Sequence, residues 1–344
     1  MIIEDDIKLD YSDVLIRPKR STLTSRFDVD MERTYTFYHS RKEWTGVPVI
    51  ASNMDTTGTF EMHNELSKHG MTTCIARHYN RDGKKWIQAE HKNKLCVMSG
   101  ISDTEISEII GVAMTFSDVA FVGLDVANGY TMNFVDSVKR LRNELPNATI
   151  IAGNVVTGDM VAELIVAGVD IVKVGIGGGS VCTTRIKTGI GYPQLSAVIE
   201  CADAAHGLGG HIIADGGCNF SGDIVKAFAA GADFVMIGGM LAGHEECDGK
   251  LVFEDDNPEP IGMQFYGMAS KTAMDRHSHP NREYRGEEGK TVIVPYRGPV
   301  KNTAMDILGS IRSACTYVGA RRLKDLTKCA TFVRVNNTHN RIFE

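Results

Sequence analysis

Ala167-Gly-Val-Asp-Ile-Val-Lys-Val-Gly175 and Ala230-Gly-Ala-Asp-Phe-Val-Met-Ile-Gly238 are two versions of one pattern, 63 residues apart. In each, Ala-Gly-x-Asp leads into a short, mostly apolar run that ends on glycine. One unit upstream, Ile151-Ala-Gly153 and Ile213-Ala-Asp215 recur with an offset of 62 residues. Repetition of βαβ units, each ending in a Gly-rich loop after a strand, is the pattern of a (β/α)8 barrel. Such a barrel collects those loops on its C-terminal face, where its sites lie.

Working outward, Val47–Ala51, Val119–Leu124, Thr149–Ala152, Ile171–Val174, His211–Ala214 and Phe234–Ile237 are short apolar runs of the kind found in strands buried on both faces. Helical spacing separates them. Phe134, Val138, Leu141 and Leu145 follow i, i+4, i+7, i+11. Val161, Leu164 and Ile165 follow Gly158, with Gly168 placed to end the helix. Gln194–His206 and Asp223–Ala230 have the same character. This alternation predicts a parallel sheet with crossover helices. The alternative, a doubly wound sheet, needs its Gly-rich loop after the first strand and an acidic residue about 20 positions on. Gly175-Ile-Gly-Gly-Gly179 instead lies mid-chain. From Gly243 the pattern changes: Glu245–Pro260 is acidic and turn-rich, and His277–Gly289 is polar without periodicity. A polar insertion of that length in a barrel predicts a functional flap, near residues 277–291. Nothing along the chain marks an independent second domain, so the expectation is one barrel over residues 1–344 with an N-terminal arm and a C-terminal extension.

Bulk composition narrows the function classes. A net charge of −6 without a basic block argues against a nucleic-acid face. The acidic start, Met1-Ile-Ile-Glu-Asp-Asp6, has no apolar core of a secretory signal, and no run reaches the ~18 apolar residues of a membrane span. Among eight cysteines the closest pair, Cys315 and Cys329, is 14 residues apart, so there is no CxxC pattern. Scattered cysteines suit a reducing cytoplasm.

The chemistry concentrates in Gly175-Ile-Gly-Gly-Gly-Ser-Val-Cys182-Thr-Thr-Arg185. Glycines let the backbone turn and present amides and carbonyls, and Ser180 is a candidate phosphate donor. A cysteine on a loop at a barrel mouth beside a cation can act as a nucleophile; a structural cysteine after a phosphate loop fits the same residues equally well. Asp215-Gly-Gly217 and Gly238-Gly239 follow the two later strands, where barrels often hold phosphate. Asp215 repels phosphate and suits ribose hydroxyls instead; a turn-forming Asp is its other reading. Asp125 follows a strand, at the active face of a barrel; a loop Asp is its other reading. Glu287 and Glu288, taken alone, are solvated charges. His277-Ser-His279 lacks further ligands nearby in sequence, and a metal there is not expected.

These segments resemble the IMP dehydrogenase/GMP reductase family. The loop through Cys182 continues as Lys187-Thr-Gly-Ile-Gly-Tyr-Pro-Gln-Leu-Ser196, and the resemblance runs nearly the whole chain. It includes Lys8-Leu-Asp-Tyr-Ser-Asp-Val-Leu-Ile-Arg-Pro-Lys-Arg20, Asn53-Met-Asp55, Asp125-Val-Ala-Asn-Gly129, Tyr266-Gly-Met268 and Glu288-Gly-Lys-Thr291. Within the family two features point to the reductase side. Ile75 to Leu124 is too short for the inserted CBS domain of the dehydrogenases, and the Cys loop reads Cys-Thr-Thr-Arg.

The resemblance implies NADPH-dependent conversion of GMP to IMP and ammonia. Cys182 would form a covalent thioimidate at C2 of the base, with Thr184 and Glu288 relaying the proton to the departing amine. It implies that Ser180, Asp215, Gly216, Gly217, Gly238, Gly239, Gly267, Met268, Ala269, Arg285, Gly286, Glu287 and Gly289 hold the nucleotide. Ser25, Arg26, Arg77, Asp125, Val126, Ala127, Ser313, Ala314, Cys315 and Thr316 would hold NADPH, with Ser25 and Arg26 supplied by a neighbouring subunit of a homotetramer. A potassium ion would sit at the carbonyls of Gly177, Gly179 and Cys182 near Arg185, since carbonyl oxygens suit a weakly hydrated cation. An IMP dehydrogenase lacking CBS domains and a catalytically inactive nucleotide-binding barrel are the alternative functions. The chain departs from the family at three places. Gly178 replaces the usual Pro, which implies a looser Cys loop; Ala76-Arg77-His78-Tyr79 replaces His-Lys-His-Tyr, keeping the charge at 77; and Ser278–Glu283 lacks the usual Gly-Gly-Val-Ala.

Overall fold

The computed structural model describes residues 3–254, 258–277 and 286–336. Eight parallel strands close into a barrel: β1 (Val49–Ala51), β2 (Thr72–Ile75), β3 (Leu95–Ser99), β4 (Phe121–Asp125), β5 (Ile150–Val155), β6 (Ile171–Val174), β7 (His211–Asp215) and β8 (Phe234–Ile237). Each strand pairs with its sequence neighbours, and β8 closes on β1 through Val235–Val49 and Ile237–Ala51. The helices α1 (Phe60–Leu66), α2 (Gly83–Gln88), α3 (Asp103–Thr115), α4 (Met132–Glu144), α5 (Gly158–Val166), α6 (Gln194–Gly207), α7 (Ser221–Ala229) and α8 (Val300–Val318) follow the strands in order. This is the (β/α)8 barrel that the repeat predicts. The two repeated segments are the entries to β6 and β8, so the loops after strands 7 and 8 are Asp215–Gly217 and Gly238–Gly239, as expected.

Strand alternation sorts the core into two layers. Ile50, Cys74, Cys96, Phe121, Ile151, Ile171, Ile213 and Phe234 fill the barrel interior, while residues one position away, such as Val49, Val97, Val122 and Val172, pack under the helices. The N-terminal mouth is plugged by a hairpin of Arg33–Thr36 and Glu43–Gly46. Its Tyr35, Phe37 and Trp44 stack among Phe121, His211 and Phe234, and the Tyr35 hydroxyl donates to the Asp233 carbonyl at 2.6 Å. With that end closed, the C-terminal mouth is the one free to take a ligand.

Helix ends follow local chemistry. Ser102 and Glu105 form a reciprocal capping box at α3, and Thr131 caps α4. Gly168, at φ +114°, ends the turn after α5. Between β3 and its neighbours β2 and β4 the chain holds only the barrel's own helices α2 and α3 with short turns, leaving no room for an inserted domain.

Two features go beyond the sequence reading. Strands β2 and β3 lie in segments not recognised as strands. The stretch after β8, read as turn-rich and aperiodic, contains a three-stranded antiparallel sheet of Leu251–Phe253, Pro260–Tyr266 and Thr291–Pro295. This sheet carries the base of the expected flap. Residues 278–285, the flap's middle, lie outside the described residues. The arm strand Val14–Ile16 pairs antiparallel with Phe332–Arg334, joining the two ends of the chain. Among the described residues no helix is long and apolar enough to cross a membrane.

Candidate active site

At the C-terminal mouth lies a cleft of about 670 Å³. Its floor is ionic. Lys173 on β6 is 3% exposed and shares the inward parity of Ile171. Its ammonium lies 2.9 Å from Asp125 on β4 and 2.9 Å from Asp215 on β7. Burial opposes the Lys173 charge, but the two carboxylates outweigh it and hold the ammonium above the usual lysine range. Burial likewise opposes the Asp125 charge. Lys173, Arg77 and a 2.7 Å hydrogen bond from Asn53 prevail and keep its carboxyl below the usual range. Asp215 also accepts from Asn154 at 2.9 Å. The site thus holds two carboxylates on one buried cation.

The Cys loop rises from the end of β6. Gly175 adopts φ +148°, and a Cβ there would lie 1.9 Å from the Asp215 carbonyl oxygen, so β6 and β7 meet as closely as they do only because the residue is glycine. Gly178, by contrast, is not left-handed. Its carbonyl accepts from the Gly217 amide at 2.8 Å, which ties the loop to the turn after β7 and counters the looseness expected without proline.

Cys182 is partly exposed in the cleft wall, and its Sγ donates to Thr184 Oγ1 at 3.2 Å. Thr184 Oγ1 in turn donates to Glu288 Oε2 at 2.7 Å. Glu288 is brought there by backbone pairing. Cys182 and Gly289 form an antiparallel bridge, with Thr183 N–H donating to the Glu288 carbonyl at 2.9 Å and Lys290 N–H to the Val181 carbonyl at 2.9 Å. Thiol, hydroxyl and carboxylate therefore form one continuous chain across 104 residues of sequence. This relay, opening on a cleft, can move a proton between a sulfur nucleophile and a leaving group.

Most of the expected nucleotide residues come together here. Ser180, Asp215, Gly216, Gly217, Gly238, Gly239, Gly267, Met268, Ala269 and Gly286 line the cleft with Cys182, Thr184 and Glu288. Glu287 and Gly289 flank Glu288 in the chain but do not line it, and Arg285 lies outside the described residues. Of the cofactor set, Asp125 and Ala127 line the cleft. Arg77 stands beside them, donating to the Asp125 carbonyl at 3.4 Å and to Glu105 at 3.1 Å. Ser25, Arg26 and Ser313–Thr316 lie elsewhere: the short helix Arg26–Asp28 packs on α8, which carries Ser313–Thr316. Cys315 is fully buried, so its thiol faces the core.

For the cation set, Gly177 turns at φ +82°, and the Gly179 carbonyl accepts from Cys182 N–H at 3.0 Å. The Arg185 guanidinium is turned to Asp10 at 2.8 Å and to the Tyr192 carbonyl at 2.6 Å. The sequence reading gave no site role to Lys173, Asn53 or Met274, although all three line the cleft. Lys173 had a signal: it is the charged residue at an inward position of a strand otherwise made of Ile and Val.

The family model "IMP dehydrogenase / GMP reductase domain" matches residues 8–341. The chain belongs to the IMP dehydrogenase/GMP reductase family. It is similar to a protein named GMP reductase from Photobacterium profundum, 55% identical and covering 100% of this chain and 99% of that one. A GMP reductase from an Enterobacter species is 57% identical over 100% of this chain and 99% of its own. GMP reductase 1 of Homo sapiens is 56% identical over 99% of each.

Proposed function

We propose that the chain is an oxidoreductase that converts GMP to IMP and ammonia at the expense of NADPH. The observation that carries this reading is the hydrogen-bonded relay Cys182–Thr184–Glu288 on the cleft wall. Full-length relatives named GMP reductase support it.

The nucleotide's phosphate takes the glycine amides of 216–217 and 238–239 with Ser180, and Asp215 takes ribose hydroxyls. The Cys182 proton passes through Thr184 to Glu288 as sulfur bonds to C2 of guanine. Glu288 then returns that proton through Thr184 to the C2 amino group. The C2–N bond breaks, ammonia leaves, and a covalent thioimidate remains. The nicotinamide cofactor, when bound, supplies hydride to C2. Collapse of the adduct breaks the C2–S bond, and Glu288, having given its first proton to ammonia, takes one from solvent and passes it through Thr184 to Cys182. One relay serves both proton transfers, the general acid–base work such groups perform.

The exposed Arg77 guanidinium at the rim of the cleft fits an anionic cofactor, and Asp125–Ala127 form the adjoining wall. Ser25, Arg26, Ser313, Ala314 and Thr316 lie on a separate surface, with Cys315 buried beneath it, beside Phe27, 96% exposed, and Tyr317, 64% exposed. Large exposed aromatics next to the larger part of a cofactor set favour a neighbouring subunit completing the site, as in a homotetramer. The carbonyls of Gly177, Gly179 and Cys182 suit potassium. Arg185 offers no side-chain oxygen and serves this loop by holding Asp10. The chain works as one catalytic barrel in the cytoplasm.

The test is nicotinamide absorbance with each substrate pair, with and without K⁺. NADPH loss with GMP, faster with K⁺, is expected. NADH formation from IMP and NAD would instead make the chain a dehydrogenase. Cys182→Ala should abolish turnover while GMP binding persists; surviving turnover would refute the nucleophile, and absent turnover in the wild type would leave a binding barrel.

A further inference from the structure

Apart from the cleft relay, a group of ionisable side chains converges from three separate chain segments. Asp55, in the loop after β1, is fully buried. His78 follows β2, and His277 ends the short helix Lys271–Arg276. Their donor atoms all lie within 4.8 Å of one another. His277 Nε2 is 2.6 Å from Asp55 Oδ2, and His78 Nδ1 is 3.3 Å from Asp55 Oδ1. One histidine and Tyr266, whose hydroxyl donates to Oδ2 at 3.0 Å, serve the Oδ2 side of this carboxylate. Among the described residues the Oδ1 side has no hydrogen bond, and neither ring nitrogen of His78 has one. A buried carboxylate and an adjacent imidazole that face each other without a hydrogen bond leave donor capacity unused.

We propose that Asp55, His78 and His277 bind a divalent transition-metal ion of the zinc class. Two imidazoles and one carboxylate are a donor set that zinc prefers, with water as fourth ligand. Around a tetrahedral ion, donors sit roughly 3.3 Å apart, given metal–ligand bonds of about 2.0 Å. The Asp55–His78 pair already has that spacing, and the ion replaces the His277–Asp55 hydrogen bond. The surroundings suit a ligating carboxylate. Tyr266 orients it, and the nearby Arg276 charge is taken up by Asp248 at 2.6 Å. His78 and His277 keep 22% and 24% side-chain exposure, which gives the ion a way in. The ion joins the loops after β1 and β2 to the end of the short helix Lys271–Arg276. This proposal does not depend on the GMP reading.

The experiment is titration of the metal-stripped protein with Co²⁺ and Zn²⁺, following the visible bands of bound cobalt and, for zinc, competition with a chromophoric chelator. One ion per chain is expected, with imidazole–carboxylate cobalt bands and no sulfur-to-cobalt charge transfer. His78→Ala and His277→Ala should each remove stoichiometric uptake, while Cys182→Ser retains it. Two partly exposed histidines are used so that the result does not hang on the folding of one variant. Absence of stoichiometric uptake, uptake that survives both histidine substitutions, or a charge-transfer band lost with Cys182→Ser would overturn the proposal.

Discussion

Among the described residues, Thr184 carries the only side-chain link between the thiol and Glu288, so its hydroxyl is the residue-scale test of the relay. Thr184→Val keeps the shape and removes the donor and acceptor. Turnover should fall by about 10²–10⁴ while the KM for GMP changes little, the loss typical of a general acid–base group. Glu288→Gln should fall comparably, measured as kcat in the same assay. Lys173 makes a different prediction. Lys173→Met removes the cation between Asp125 and Asp215 and leaves only Arg77 and Asn53 beside the first and Asn154 beside the second. Because both carboxylates keep some contact with water, the cost should sit near the low end of about 3–5 kcal/mol, read as a lower urea midpoint.

At this scale legibility was uneven. Cys182 stood out by its loop but was not separable from a structural cysteine until a family resemblance gave it partners. Glu288 had no signal of its own, because a carboxylate 104 residues away in a polar stretch is a surface charge until backbone pairing delivers it. Lys173 was visible in principle through strand parity and was passed over.

Among the elements, the Cys loop depends on the close approach of β6 to β7. Gly175→Ala places a Cβ on the Asp215 carbonyl in a backbone conformation that disfavours it. It should cost about 1–3 kcal/mol and displace the loop, seen as a lower melting temperature together with lost activity. Gly178→Ala is the contrast. Its Cβ meets the Gly217 amide at 3.3 Å and no left-handed backbone is involved, so its effect on stability should stay within about 1 kcal/mol. Six of the eight barrel strands were legible because they are apolar runs, and from β4 onward recognisable helices separate them. Strand β2, Thr72-Thr-Cys-Ile75, was hidden by its threonines, which are fully buried despite their polarity. Strand β3, Leu95-Cys-Val-Met-Ser99, was hidden by the short, basic Lys92–Lys94 turn that leads into it. The sheet of 251–295 escaped because its strands are partly exposed and border an acidic turn, so no apolar run announces them.

For the whole molecule, acid sensitivity has a located source. His63 on α1 is fully buried, donates from Nε2 to the Glu90 carbonyl at 2.5 Å, and is kept neutral by burial, its pKa pushed down to about 4. Between pH 6.5 and about 4 the unfolded chain binds a proton here that the folded chain refuses. Stability from this residue is therefore complete above 6.5 and is lost as pH falls towards 4, by up to about 1.4 kcal/mol per pH unit. His63→Gln should flatten the slope of urea stability against pH over that window; an unchanged slope would place the sensitivity elsewhere.

The assembly offers the last test at this scale. If cofactor binding is shared between subunits, a site takes Cys182, Arg77 and Asp125 from one chain and Arg26 from its neighbour. Nothing among the described residues of one chain brings these together: Arg26 packs on α8, while Cys182 and Asp125 line the cleft. Cys182→Ala and Arg26→Glu homo-oligomers should each be nearly inactive, the first for want of a nucleophile and the second through a raised KM for NADPH. When the two are unfolded together and refolded as mixed oligomers, some sites recover an intact Cys182 from one chain and an intact Arg26 from the other. Activity should then exceed the sum of the two separate preparations. A subunit that carries its whole site internally cannot gain from mixing, because every chain retains one lesion. Recovery in the mixture, measured as NADPH oxidation with GMP, thus separates a shared site from a self-contained one whatever the number of subunits.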